Sequence, residues 1–68
     1  MKDIRKSYGE HLKAFRKKKG ISQEDLAFKS TIHRTYISEV ERGRRNISIV
    51  NIAKIAKALN LSIKEFFD

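Results

Sequence analysis

Apolar residues along these 68 positions recur mostly three or four apart, the spacing that stacks side chains on one face of an α-helix. The chain is therefore read as all-α. Ile4, Tyr8, Leu12 and Phe15 form one stripe and predict a first helix from about Asp3 to Lys19. Gly9 inside it costs about 1 kcal/mol relative to alanine. Arg16, Lys17, Lys18 and Lys19 fill the last turn, where cations favour the negative end of the helix dipole. Gly20 suits the left-handed capping position, followed by apolar Ile21. A second helix, about Gln23 to Lys29, opens on Ser22 and Asp25, which approximate a capping box, and turns Leu26 and Ala27 inward. A turn follows at Ser30, Thr31 and Ile32. The third helix starts at Arg34 and is ended by Gly43. The fourth follows Ser48, a good N-cap, with Ile49, Ile52, Ala53, Ala56 and Leu59 as its core face and Ile55 and Ala58 widening the apolar arc. Asn60 takes the left-handed stop. Ser62 and Glu65 form a second capping box for a fifth helix bearing Ile63, Phe66 and Phe67. The expected architecture is a compact five-helix bundle, one domain over residues 1–68.

The third helix has two unlike faces. Turned through about 100° per residue, it puts Ile37 and Val40 together with Tyr36 on their edge, while Arg34, Thr35, Ser38, Glu39 and Arg42 share the opposite arc. Glu41 falls beside Ile37, towards the core, and needs a cation partner there, because an unpaired buried charge is costly. Two short helices joined by a three-residue turn, the second anchored by apolar residues and polar outside, make a helix-turn-helix pattern. The major groove admits one α-helix and offers hydrogen-bonding base edges. Arg34 can pair with guanine O6 and N7, Thr35 and Ser38 can donate or accept, and Glu39 can accept from cytosine N4.

Composition agrees with this direction. Sixteen Lys and Arg against eight Asp and Glu give +8, concentrated in residues 1–20, where eight basic residues face two acidic ones. Such a surplus favours an anionic polymer as partner, although it also serves solubility. There is no cysteine, which excludes disulfides and thiolate metal sites, and His11 and His33 stand far apart with no ligand pattern around them. No metal or other cofactor and no small-molecule ligand is expected. The longest apolar run is Leu26-Ala27-Phe28, too short for a membrane span or a secretory segment, so a cytoplasmic protein is expected. A Cys nucleophile, a Ser-His-Asp grouping, a phosphate-cradling glycine loop and a convincing carboxylate pair are all missing, which argues against an enzyme.

The segment Gly20 to Phe67, "GISQEDLAFKSTIHRTYISEVERGRRNISIVNIAKIAKALNLSIKEFF", resembles the Cro/phage-repressor type of helix-turn-helix domain. The carriers are Gln23 at the start of the second helix, Leu26-Ala27 within it, and Tyr36-Ile37-Ser38 with Glu41 and Gly43. "KS" and "RTYIS" followed by "RN" and "SI" look most like the controller proteins of restriction–modification systems. The resemblance implies base reading by Arg34, Thr35, Ser38 and Glu39. It implies phosphate contacts by Gln23, Tyr36, Arg42, Arg44, Arg45 and Asn46, and a structural ion pair between Arg16 and Glu41 whose loss harms stability before specificity. One departure is His33 at the N-cap of the third helix, where the family has Ser, Asp or Thr; it either sits against a phosphate or is a tolerated surface residue. Glu39 either reads a cytosine or repels phosphates in wrong registers. Lys17 to Lys19 either cap the dipole or also steer DNA by counterion release.

A chain this small buries a modest fraction of its surface, so a second copy is a plausible source of stability. Ile55, Ala58, Leu61, Phe66 and Phe67 form a terminal patch expected at a shared dimer interface; the other reading is that they close the core of one subunit. The expected function is a homodimeric regulator binding double-stranded DNA at a roughly palindromic site, its recognition helices about 34 Å apart. Other readings are a phage-type repressor, an antitoxin-type module that masks a toxin, for which a partner-binding tail is wanting, and RNA binding, for which Tyr36 alone offers an exposed stacking ring.

Overall fold

Helix boundaries coincide with capping groups that the sequence supplies, the start of the third helix excepted. The computed structural model describes residues 3–67 and contains helices α1 (Ile4–Lys18), α2 (Gln23–Ser30), α3 (Arg34–Glu41) and α4 (Ile49–Leu59), then a 3₁₀ helix (Ile63–Phe67). Asp3 Oδ1 accepts the Arg5 amide at 2.9 Å to start α1. In the capping box of α2, Ser22 Oγ accepts the Asp25 amide at 3.0 Å and the Ser22 amide donates to Asp25 Oδ2 at 3.1 Å. Ser48 Oγ accepts the Asn51 amide at 3.1 Å to start α4. His33 makes no side-chain cap bond to α3. At the far ends, Gly20 (φ +69°) and Gly43 (φ +74°) close α1 and α3 in Schellman turns: the Ile21 amide donates to the Arg16 carbonyl, and the Arg44 amide to that of Glu39.

The expected fifth α-helix is a 3₁₀ turn, so the bundle has four α-helices among the described residues. Here the Glu65 amide donates to the Ser62 carbonyl at 3.1 Å, the i to i+3 bond of a 3₁₀ helix, while Glu65 Oε2 accepts the Ser62 amide at 2.8 Å. Five residues suffice to swing Phe66 into the core. Its ring stacks on Tyr8 at 5.3 Å and meets Phe15 edge-on at 5.2 Å.

The core consists of Tyr8, Leu12, Leu26, Ile32, Ile37, Val40, Ile55, Ala56, Leu59 and Phe66. This corrects the expected face of α4. Ile49 is 78% exposed and Ala53 is exposed, whereas Ile55 is wholly buried and Ile52 only half-buried. The helix lies against α2 and the 3₁₀ segment, so the row through Ile55 and Leu59 faces inward and the first turn projects beyond its neighbours. Ile4, in the expected stripe of α1, is likewise 64% exposed at the helix start. The terminal patch divides as well. Ile55 and Phe66 lie inside the subunit with 0% exposure and offer no surface to a second copy, contrary to expectation. Ala58 and Leu61 pack half-buried on the core, and Phe67 keeps 45% of its surface.

Gly9 has its explanation in α3. A Cβ there would overlap the Val40 carbonyl oxygen and come 2.8 Å from that of Glu41, so its absence lets α1 lie directly on the end of α3.

Candidate nucleic-acid interface

The turn Thr31–His33 joins α2 to α3, with Thr31 in the left-handed region at φ 58°. It sets the angle between the two helices, and Ile37 and Val40 hold the back of α3 in the core. The opposite arc is consequently outward. Arg34, Thr35 and Arg42 are exposed, and Ser38 and Glu39 are half-buried beside them.

Glu41 faces inward and collects three donors. Arg16 Nε reaches its Oε2 at 2.7 Å and Arg16 Nη2 its Oε1 at 3.1 Å, while Gln23 Nε2 donates to Oε1 at 3.0 Å. Arg16 Nη1 also donates to the Ile21 carbonyl at 2.9 Å. The two charged side chains retain only 10% and 5% of their surface. Glu41 raises the Arg16 guanidinium above its ordinary range through the hydrogen bond, against the opposing effect of burial. The network ties α1, the start of α2 and the end of α3 together, and loss of one partner in such a buried pair costs about 3–5 kcal/mol. Gln23, expected at a phosphate, has its amide nitrogen engaged in this scaffold.

A second polar cluster lies past Gly43. Arg45 Nε donates to Glu39 Oε1 at 2.8 Å, and its guanidinium carbon sits 4.7 Å from the centre of the half-buried Tyr36 ring. Arg44 and Asn46 beside it in sequence are exposed, as is His33 at the start of α3. Lys13, Gln23, Arg34, Ser38 and Arg42 line a polar recess of about 300 Å³ beside the Arg16–Glu41 pair. Lys13 was missed in the sequence. Its spacing of three from Arg16, on the same face of α1, is the signal that points to it.

The arrangement can present cations and hydrogen-bonding groups to an anionic, groove-bearing polymer. Among the described residues no group of three His, Asp or Glu side chains comes together to hold a metal ion. No described helix is long and apolar enough to cross a membrane. The helix-turn-helix family profile matches residues 12–66. The chain belongs to the helix-turn-helix family. It is similar to the control protein C.BamHI of Bacillus amyloliquefaciens, with 48% identity over 67 residues, covering 97% of this chain and 83% of that protein. Control protein C.MunI of Mycoplasma sp is 43% identical over 68 residues, covering 98% and 92% of the two chains. The crystal structure of the restriction-modification controller protein C.AhdI from Aeromonas hydrophila superposes with a TM-score of 0.91 at 48% identity, covering 93% of this chain and 96% of that one. The resemblance seen in residues 20–67 is thus to the right family. These relatives are control proteins rather than enzymes, in agreement with the expected lack of catalysis.

Proposed function

We propose that this chain, acting as a single helix-turn-helix domain, is a sequence-specific double-stranded DNA-binding transcriptional regulator, the controller protein of a restriction–modification system. The observation that carries this reading is the division of α3: Ile37 and Val40 are clamped in the core while Arg34, Thr35, Ser38 and Arg42 line the outer arc. A helix so anchored enters a major groove as a rigid reader. Arg34, Thr35 and Ser38 meet base edges. His33, Tyr36, Arg42, Arg44, Arg45 and Asn46, with Gln23 once it exchanges Glu41 for a phosphate, fix the register on the backbone. Two copies pair through α4 and the 3₁₀ segment, where Ala58, Leu61 and Phe67 keep surface, and their readers lie about 34 Å apart on a roughly palindromic site. The relatives' role as control proteins supports regulation of the chain's own promoter and of a linked restriction gene, in the cytoplasm.

The test is selection of duplexes from a randomised library, followed by titration of two variants at several salt concentrations. Arg34→Ala costs about 1–3 kcal/mol and relaxes preference at one base pair. Arg45→Ala weakens all duplexes alike and lowers the salt slope by about 1. Loss of affinity in both variants with unchanged site preference would contradict this division between reader and grip.

A further inference from the structure

We infer that Glu39 is a positioning residue for Arg45 and not a reader of bases, an inference that rests on the DNA-binding reading of α3. Glu39 lies on the outer arc of α3, and Arg45 follows six residues later on the irregular stretch after Gly43. Two contacts fix the guanidinium: Glu39 Oε1 accepts from Nε at 2.8 Å, and the Tyr36 ring lies 4.7 Å from the guanidinium carbon. Glu39 therefore uses one of the five N–H donors of Arg45. The terminal nitrogens Nη1 and Nη2 have no protein hydrogen bond among the described residues. That edge carries parallel donors, the geometry that grips two phosphate oxygens or guanine O6 and N7.

Arg45 has no helical backbone to restrain it, and a loose arginine loses rotamer freedom on binding. Holding it beforehand against a ring reduces that loss. The pair is an exposed one, with side chains 47% and 39% accessible, so it adds little to fold stability and its consequence lies at the surface. The geometry also disfavours both simpler roles for Glu39. One carboxylate oxygen is already committed to Arg45, and a carboxylate neutralised by a guanidinium repels phosphates weakly.

The experiment uses wild-type protein, Glu39→Ala, Glu39→Gln, Arg45→Ala and the Glu39→Ala/Arg45→Ala double variant. Each is titrated with the duplex that wild-type protein selects and with a scrambled duplex over a salt series. Glu39→Ala is expected to weaken binding to the selected duplex about tenfold, to leave its base preference unchanged, and to have no further effect once Arg45 is gone. Glu39→Gln, which keeps an acceptor at Oε1, falls between wild-type and Glu39→Ala. Without DNA, the Arg45 Nε–H resonance is expected to be displaced by the Tyr36 ring in wild-type protein and to move towards its solvent-exposed position in Glu39→Ala. A change of preference at one base pair that persists without Arg45 would make Glu39 a reader and overturn the inference. Tighter binding of both duplexes by Glu39→Ala would make it a repeller and overturn it equally. If wild-type protein selects no duplex, the DNA-binding reading falls and takes this role with it. If wild-type protein binds and Glu39→Ala matches it, only the positioning role falls.

Discussion

The hydroxyl of Tyr8 is buried with no hydrogen-bond partner among the described residues, and burial, with Tyr36 nearby, pushes its phenol well above the ordinary range. A buried unsatisfied group costs free energy that its removal recovers. Tyr8→Phe is therefore expected to stabilise the fold by about 1 kcal/mol, read as a raised midpoint in urea at unchanged slope; a lowered midpoint would show that the hydroxyl is satisfied. At this scale, legibility depended on whether a residue stood against its local pattern. Glu41 did, as a charge on an apolar face, and its inward position was readable from a helical wheel. The contact between Glu39 and Arg45 was not, because it crosses the turn at Gly43 and follows no helical spacing. Nor was the left-handed backbone of Thr31, since a β-branched residue is a poor sign of positive φ.

Between elements, Gly9 illustrates two opposed effects. Alanine in a helix interior favours the helix by about 1 kcal/mol over glycine, yet here its methyl would strike the carbonyls of Val40 and Glu41. The clash involves backbone that cannot swing aside, and overpacking costs about 1–3 kcal/mol. Gly9→Ala is thus expected to lower thermal stability; a rise would show that α1 can draw away from α3. The capping box of α2 has a pH signature. The hydrogen bonds from Ser22 hold the Asp25 carboxyl below its ordinary 3.8, so its folded value lies under its unfolded one. Its contribution is present above pH 3.8 and fades as pH falls through the folded value. Acid melts should show wild-type protein losing more stability over that window than Asp25→Asn; equal losses would assign the acid sensitivity elsewhere. Helix existence and caps were legible because Ser22, Ser48, Gly20, Gly43 and Asn60 are local signals. The rotation of α4 was not: Ile49, Ile52, Ile55 and Ala56 are all apolar, and only contact with α2 and Phe66 selects among them. The last segment became 3₁₀ for the same reason, tertiary packing of Phe66 prevailing over a capping pattern.

For the whole molecule, the surplus of +8 and the outward arc of α3 act together, the first supplying long-range attraction and the second a specific shape. The helix-turn-helix was legible because it is a local pattern, two capped helices and a three-residue turn. The surface proposed for a second copy was less so, because terminal apolar residues serve a core and an interface equally well, and Ile55 and Phe66 went to the core. The central claim is that the outer arc of α3 faces a duplex. The most direct measurement is amide chemical-shift mapping of isotope-labelled protein titrated with a duplex selected by wild-type protein. The expected shifts centre on residues 33–46, with the Arg34 and Arg45 side chains moving and the outer turn of α4 at Ile49 and Ala53 unmoved. Shifts centred on α4 or the 3₁₀ helix, with Arg34, Thr35 and Ser38 unchanged, would contradict it.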